Sequence, residues 1–534
     1  MKKKLLVFSA VMTIAACVLC FASCSNDGGN GNGGSSGGET AHVHGTSGDL
    51  KYDGNEHWKV CKKCGEKFDV EYHSYSEEGL CKCGRIGDTS GLGYELYADG
   101  EYAAKLGSSQ AKYIGIPSLY YAKPLKRISV NGFEGADIKG IRIPTSVDFI
   151  GAEAFNGCEM LKDVYYDGDI EGWSKIVFQT KNSNPLCNGA TLHLMGEKVT
   201  DVVLPSSVAK LNKYAFYGCS SLKSITIGKD VNEIGEAVIG KANNLETITI
   251  EQENPVYSSE GNCIIKDGVT LVSGCKNSVI PAGVTTISSS AFDGISSLES
   301  IAIPKSVGHI GEGAFSNCES LKEIELSDNI RRIVGKVFAG CKSLTKITYS
   351  ENLFEIGEHA FSGCISLKSI DIPQIPYGVK ICNGAFLGCT ALESVNNGEK
   401  LSEIGDNAFN GCTSLKSIDF GTKLTTIGSY AFSGCNSLIN IELPETVSEI
   451  DDYAFAHCTN LTTVKLSSTN LTVGMDIFNN SNKMKGKGVF HTKDSMTVSG
   501  KLDKTVYYYS ETEPTTNGNF WHYVDGEVTI WQTA

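Results

Sequence analysis

The chain has 534 residues, of which 41% are hydrophobic and 20% are charged, and it carries a formal net charge of −14. This composition is typical of a folded protein, and the length would fill about three or four ordinary globular domains. The acidic balance argues against a nucleic-acid partner, because nucleic-acid recognition needs a basic patch.

The first residues have the layout of a secretory signal. Three lysines at positions 2–4 precede an apolar run from Leu5 to Ala22. The run ends in Phe-Ala-Ser-Cys24, which resembles the bacterial lipobox, so residues 1–23 are predicted to be a lipoprotein signal peptide with Cys24 as the lipidation site. Cys17 fits the box better locally, but cleavage there would leave apolar residues on the mature chain. An uncleaved membrane anchor is the alternative, since the run is just long enough to span a bilayer.

Residues 24–40 are rich in Gly, Ser and Asn. Such a segment cannot bury a core and predicts a flexible tether. Signal and tether together predict a surface-exposed lipoprotein of a bacterial cell envelope, attached to the membrane through a lipid anchor.

Residues 41–90 form a small Cys/His module. Cys61-Lys-Lys-Cys64 is a knuckle that can hold a tetrahedral metal ion, and it is followed by a shorter Cys-Lys-Cys pair. The candidate ligands are Cys61, Cys64, Cys81, Cys83, His57 and His73. The spacing resembles small modules that precede repeats in bacterial surface proteins. A structural zinc ion is predicted, and two disulfides in an oxidising compartment are the alternative.

A motif centred on Ala-Phe recurs every 23 residues, and it predicts a solenoid of stacked coils. Within one coil, alternation at Leu298, Ile301 and Ile303 predicts a short strand. Gly311 should permit a bend, and Phe315 should plug the core within a short helical turn. The phenylalanines keep this step except for one 25-residue interval before Phe386: Phe292, Phe315, Phe338, Phe361, Phe386, Phe409, Phe432, Phe455 and Phe478.

The pattern I-P-x-x-V-x-x-I-G-x-x-A-F-x-G-C-x-S-L-x-x-I is nearly intact at Pro444–Ile450 and Ala454–Cys458. It resembles the BspA-like class of bacterial surface leucine-rich repeats, and the resemblance runs from about Leu125 to Phe478. It implies a leucine-rich-repeat solenoid of 23-residue coils, β-rich with short helical turns on the convex side, which is α/β by convention. It also implies a cell-surface or secreted protein used in adhesion or host contact.

One position of the coil is cysteine in nine coils. Stacking would place these thiols in a column, which could be a ladder of disulfides or metal ligands, or a row of buried thiols. Ala242 and Ile295 occupy the same position in two other coils, which favours packing. The column comprises Cys158, Cys219, Cys318, Cys341, Cys364, Cys389, Cys412, Cys435 and Cys458.

The array is predicted to span residues 141–485, with insertions near 165–200 and 251–285 and with caps at 91–140 and 486–534. Within the second insertion, Ile264 to Val272 should form a β-hairpin around Asp267-Gly268. Aromatic residues of the insertions could bind a partner or pack inward: Tyr165, Tyr166, Trp173 and Tyr257. The aromatic C-terminal segment is expected to cover the last coil, with a carbohydrate platform as the alternative.

We find no nucleophile elbow, P-loop, dinucleotide fingerprint or metalloprotease motif, so catalysis is not expected. Alternation instead predicts an outward, hydroxyl-rich and mildly acidic strand surface. Its candidate ligand-binding residues are Glu323, Glu325, Lys346, Thr348, Ser369, Asp371, Ser394 and Asn396.

The predicted function is binding of an extracellular protein or glycan by this surface, as in adhesion or cell contact. One alternative is a structural spacer that presents the Cys/His module. The other is an envelope enzyme built on Asp167, Asp169 and Glu171 near Trp173.

Overall fold

The computed structural model describes residues 91–484 without a gap. On either side it describes residues 51–52, 56–60, 67–72, 76, 81, 86–87, 488–491, 497–499, 505–510, 514, 518–524 and 527–530. The chain divides into two compact units, residues 1–75 with 81–85 and residues 76–80 with 86–534. Within the described residues, no helix has the length and apolar character needed to cross a membrane.

The first unit contains an antiparallel sheet of three strands, Lys51–Tyr52, Glu56–Val60 and Lys67–Tyr72. His57 lies in the middle strand, and Cys81 of the same unit is buried. The other four candidate zinc ligands (Cys61, Cys64, Cys83 and His73) and Cys24 lie outside the described residues. The zinc site, its disulfide alternative and the lipid anchor therefore stay predictions.

The second unit is a solenoid of the predicted class, and each regular coil has three sides. The first side is a strand that pairs in parallel with the strand one coil further on, as Glu323 does with Lys346. These strands are Tyr113–Gly115, Gly140–Ile143, Asp163–Tyr166, Thr191–Leu194, Asp201–Val203, Ser224–Ile227, Thr247–Ile250, Glu323–Glu325, Lys346–Thr348, Ser369–Asp371, Ser394–Asn396, Ser417–Ile418, Asn440–Leu443, Thr463–Leu466, Gly488–His491, Thr505–Tyr509 and Phe520–Val524.

The second side is a shorter strand, which also pairs with its equivalent in the neighbouring coils. Charged residues of opposite sign face each other along it, as in the Arg332–Glu355 and Lys380–Glu403 ion pairs of 2.6 and 2.7 Å. These strands are Tyr102–Lys105, Arg127–Ile128, Phe149–Ile150, Val177–Phe178, Lys210–Leu211, Glu233–Ile234, Thr286–Ile287, His309–Ile310, Arg332–Ile333, Glu355–Ile356, Val379–Ile381, Leu401–Ile404, Thr426–Ile427, Glu449–Ile450, Asn470–Val473 and Thr497–Ser499.

The third side, here called the turn side, carries the Ala-Phe motif. It was expected to be a short helical turn, and it consists of hydrogen-bonded turns instead. The reason is that every second amide bonds to the next coil: the Phe292 N–H donates to Ala314 O at 2.7 Å and the Phe315 N–H donates to Val337 O at 2.9 Å. The one α-helix of the described residues is Ile170–Lys175, and 3-10 turns occur at Lys181–Ser183 and Gly398–Lys400.

Stacked phenylalanine rings fill the core beneath the turn side. From Phe292 to Phe478, consecutive rings are nearly parallel, with centroids 5.1–5.8 Å apart, and each ring is completely buried. The plug role predicted for Phe315 is therefore confirmed.

Two backbone positions flank each ring in the left-handed region. Gly388 (φ 70°), two residues after Phe386, is one of the glycine caps of the kind predicted, whereas two residues before the ring the chain uses varied residues such as Tyr430 (φ 57°). Gly311 is required for a different reason, because its backbone is not in the left-handed region. A Cβ there would lie 2.4 Å from Ser289 N of the preceding coil, so only glycine lets the two backbones approach.

Both insertions are ordered. The hairpin predicted around Asp267 is present, because strand Cys263–Lys266 pairs antiparallel with Thr270–Gly274, and a further strand, Tyr257–Glu260, pairs with its outer edge. Antiparallel pairs also lie near both ends of the solenoid and in the first insertion: Gly93–Leu96 with Tyr102–Lys105, Leu119–Tyr120 with Lys123–Pro124, Thr191–Leu194 with Glu197–Lys198, and Phe520–Val524 with Glu527–Ile530.

Candidate functional site

The outward side chains of the longer strands form a continuous polar surface, here called the strand face. In strands such as Glu323–Glu325 and Ser369–Asp371 the middle residue is buried and its two neighbours are exposed. All eight candidate ligand-binding residues lie on this face, seven of them exposed and Ser394 half-buried. That they bind a ligand stays a prediction.

Two shallow depressions lie along the strand face. The first, of about 580 Å³, brings together Glu323, Glu325, Lys346 and Thr348 of the candidate set. The other four candidates line neither depression. Among them, the Asn396 amide donates to the Asp371 carboxylate at 2.7 Å, and Ser369 is in register with Ser394.

The second depression, of about 790 Å³, lies further along the same face and was not part of the candidate set. Its polar lining includes Asp419, Glu442, Thr463 and Lys465. Outward carboxylates outnumber outward lysines across both depressions, so the face presents a negative surface to a partner.

A short loop, residues 373–378, projects beside the strand face and follows strand Ser369–Asp371 directly. Ile375 packs against the core, Gln374 donates to Glu399 at 3.2 Å, and the Lys423 ammonium donates to Pro376 O. Tyr377 at the tip of this held loop is 92% exposed.

Sequence reasoning missed Tyr377. The available signal was the single 25-residue interval between Phe361 and Phe386, whose two extra residues fall in a segment with two prolines. An irregular step in an otherwise fixed period marks a place where the chain leaves the coil, and such departures carry recognition loops.

The aromatic residues of the insertions mostly pack inward. Tyr166, Trp173 and Tyr257 are buried, and the Trp173 indole N–H donates to Ala215 O at 2.8 Å. Tyr165 is the exception, because it stays half-buried on the strand face and stacks on His193 with centroids 4.4 Å apart. Packing therefore explains three of the four residues that were considered for binding.

The three acidic residues considered for an enzyme each have a separate structural partner. Asp167 pairs with Arg142 at 2.9 Å, Asp169 accepts the Gly172 N–H as the cap of the short helix, and Glu171 pairs with Lys175 at 2.6 Å. The carboxylates do not converge on a shared position, so the geometry gives the enzyme hypothesis no support.

The cysteine column consists of buried thiols. In most coils the S–H donates to the carbonyl of the phenylalanine one coil earlier, as Cys435 Sγ does to Phe409 O at 3.2 Å. Ser481 occupies the same position after the last stacked ring, and its hydroxyl donates to Phe455 O at 2.8 Å. Burial raises the pKa of Cys341, Cys389 and Cys458 to about 12.

The column is therefore no disulfide ladder, and the alternative of packed thiols is the one observed. Across the described part of the chain, no group of three or more His, Cys, Asp or Glu side chains is arranged to hold a metal ion. The thiols are protonated at neutral pH, which leaves them poor metal ligands and poor nucleophiles.

The chain matches the family model described as "BspA type Leucine rich repeat region (6 copies)" over residues 107–186, 193–262, 271–377 and 374–485, which is more than half of its length. No curated protein matches it.

Solved structures of bacterial leucine-rich-repeat proteins resemble the chain. One from Eubacterium ventriosum is 21% identical with a TM-score of 0.43, and the match covers 65% of this chain and 93% of that one. A leucine-rich cell surface protein from Faecalibacterium prausnitzii is 25% identical, with a TM-score of 0.33 and coverage of 61% and 92%. One from Bacteroides ovatus is 23% identical, with a TM-score of 0.35 and coverage of 78% and 99%.

Proposed function

Because the chain belongs to the BspA-type leucine-rich-repeat family, we propose that it is a cell-surface protein that binds an extracellular protein through its strand face. The observation that carries the proposal is that an exposed acidic surface lies beside one highly exposed aromatic side chain. Carboxylates of the face and Tyr377 at its edge are complementary to a basic protein surface, since acidic groups attract Lys and Arg and an aromatic ring stacks on them.

Tyr377 fits the role of anchor for physical reasons. Tyrosine offers a large contact area and loses little side-chain entropy on binding. Its loop is already held by Ile375, Gln374 and Lys423, so little backbone order has to be gained on binding. The remaining contacts are polar and spread over several coils, so one copy should bind modestly and several copies on one cell should bind by avidity.

The surface location rests on the family and on the N-terminal segment. We propose that Cys24 carries the lipid and that residues 24–40 hold the folded units away from the membrane. Replacing Cys24 by Ala should release the protein from the membrane fraction of the producing cell into its soluble fractions. Retention of Cys24→Ala in the membrane fraction would favour an uncleaved anchor.

The experiment on binding uses the full chain against an array of extracellular matrix proteins and glycans. Tyr377→Ala should weaken binding to a basic protein ligand by about tenfold or more, since it removes the anchoring aromatic contact. The matched control is Tyr430→Ala, because Tyr430 is an exposed tyrosine on the turn side (39% exposed). Equal loss in both variants, or no loss in Tyr377→Ala, contradicts the proposal.

Two further variants distinguish binding by the strand face from binding by the Cys/His module. Asp371→Lys with Glu442→Lys should abolish the attraction for a basic partner and remove its salt dependence. Deleting residues 41–75, which belong wholly to the first unit, should leave binding intact. Loss of all binding on that deletion would show that the solenoid is a spacer and that the Cys/His module recognises the partner.

A further inference from the structure

The turn side is regular over most of the array, and it changes where the first insertion meets it. Residues 181–188 lie beside the turns that follow Phe216, Ile239, Phe292 and Phe315, and they enclose a depression of about 320 Å³. Its polar lining includes Lys181, Asn182, Asn188, Lys241, Asn243 and Ser296.

A buried carboxylate lies beneath the depression. Asp293 directly follows Phe292, at a position where the next coils carry Ser316, Ala339 and Ser362. Only 2% of Asp293 is exposed, yet its carboxylate accepts three contacts: the Tyr217 hydroxyl at 3.0 Å, the Lys181 ammonium at 3.0 Å and the Asn317 amide at 3.3 Å. A buried charge persists when it is paired and hydrogen-bonded, so this network fixes Lys181 at the wall of the depression.

The remaining charges leave an excess of one cation. Asp293 neutralises Lys181, and Glu319 is neutralised by Lys342 at 2.8 Å. Lys241 forms no ion pair with any described residue, although the whole chain carries a charge of −14. An uncompensated ammonium at the wall of a small depression favours an anionic ligand.

The other polar groups favour a ligand with hydroxyl groups. Side chains of Asn182, Asn188, Asn243 and Ser296 line the depression. The Asn182 amide donates to Glu153 at 2.8 Å and the Asn188 amide donates to Phe155 O at 3.4 Å, so these two side chains offer their carbonyl oxygens to a ligand, while Asn243 and Ser296 can both donate and accept. Asn243 Oδ1 has no hydrogen-bond partner among the described residues, so it is an unsatisfied acceptor beside the depression. The volume lies at the lower end of the range for ligand sites, which suits a single ring.

From these features we propose that the depression binds the carboxylate-bearing ring of an acidic sugar, with Lys241 pairing with the carboxylate and the asparagine amides contacting the hydroxyl groups. This site lies on the turn side, so it is independent of the binding proposed for the strand face.

The test is titration of the full chain with D-glucuronate and N-acetylneuraminate, followed by calorimetry or ligand-observed NMR. At least one of them should bind with a Kd on the order of 1 mM, the affinity that a ligand of this size reaches at ordinary ligand efficiency. D-glucose and acetate should bind at least about tenfold more weakly, because each lacks half of the recognised chemistry. Binding of acetate as tight as that of both acidic sugars, or no binding of either sugar, overturns the proposal.

Variants with opposite expected directions separate binding from misfolding. Lys241→Gln should weaken binding by about tenfold through loss of the charged hydrogen bond. Asp293→Asn should strengthen it, because Lys181 would then contribute an uncompensated charge while an amide fills the same space. Lys336→Gln is the matched control, since Lys336 lies nearby on the turn side and pairs with exposed Glu312, and it should leave the Kd unchanged. Weakening by Asp293→Asn in a folded protein would contradict the charge argument.

Discussion

At the scale of residues, each repeated side chain of the coil has its own physical cause. Phe315 fills the core and stacks on both neighbours, and Cys435 satisfies a buried carbonyl with its S–H group. Two glycines of the motif are required for different reasons. Gly388 has a left-handed backbone with open space around it, whereas Gly311 has an ordinary backbone pressed against the preceding coil.

This difference predicts unequal costs for the same substitution. Gly388→Ala should lower the free energy of unfolding by about 1–2 kcal/mol, the cost of a left-handed L-residue, since no atom lies within 4 Å of the new Cβ. Gly311→Ala should cost more, because backbone atoms of Ser289 must move. Urea unfolding of both variants measures the two costs, and equal values would contradict the assignment.

Part of the residue scale could be predicted from sequence. The phenylalanine plug and the glycine cap follow from spacing and residue type. The second left-handed position could not be predicted, because it holds residues as different as Tyr430, Lys336 and His359, and inter-coil hydrogen bonds impose the conformation on them. Tertiary contacts here override local preference.

At the scale of elements, the unit of the fold is the coil and not the helix or strand. Strands of two to four residues would not form alone, and they persist because equivalent strands pair in register on both sides. The hairpin at Asp267 could be predicted, since its turn residues are a strong local signal. The helix Ile170–Lys175 could not be, because it interrupts the period and is held by a contact distant in sequence, from Trp173 to Ala215. The 25-residue interval indicated a loop near Tyr377, but the contact that holds this loop comes from Lys423, 47 residues further on, and could not be predicted.

The coil as a unit predicts the result of deletions. Removing residues 433–455, one full 23-residue step, joins Phe432 to Ala456 and keeps every later residue in register. The shortened protein should retain its β-sheet circular dichroism and unfold cooperatively at a somewhat lower urea concentration.

The control removes less of the chain. Deleting residues 433–444 takes out the strand Asn440–Leu443 but leaves the turn of the same coil, so the later coils lose their register. This smaller deletion should be the more destabilising one. A larger loss of stability for the full-coil deletion would show that the coils are not interchangeable units.

At the scale of the whole molecule, small equivalent contributions to the free energy of unfolding add along the array. The thiol column is one example, because each buried thiol must ionise when the protein unfolds at alkaline pH. The pKa of Cys341, Cys389 and Cys458 is raised to about 12 by burial, whereas an unfolded cysteine has a pKa of about 8.5. Between these values the unfolded chain has lost a proton that the folded chain keeps, so stability falls as pH rises.

Each such thiol should therefore contribute a loss of about 1.4 kcal/mol per pH unit above pH 9, and none below about pH 8. A variant with Cys341→Ser, Cys389→Ser and Cys458→Ser should lose stability less steeply, by about 4 kcal/mol per pH unit, while its hydroxyls keep the hydrogen bonds as Ser481 does. Urea unfolding under reducing conditions at pH 8, 9 and 10 measures the slopes. Identical slopes in the two proteins would contradict the contribution of the column.

The architecture of the whole molecule was thus more predictable than its sites. The 23-residue period predicts both the stacking of the coils and the outward residues of the strand face, and the family pattern predicts the same two features. The depression at Asp293 could not be predicted, because Lys181, Tyr217 and Asp293 are brought together by an insertion and are up to 112 residues apart.

The ring stack also has a mechanical consequence. Neighbouring coils are separated by only about 5 Å along the stack, whereas a released coil of 23 residues can stretch to about 75–80 Å. A force applied between the two ends of the array would therefore unfold one coil at a time, and each unfolded coil would lengthen the chain by roughly 70 Å. A cell held to a surface through such a molecule would have an extensible attachment, because the coils would unfold one after another before the attachment is lost.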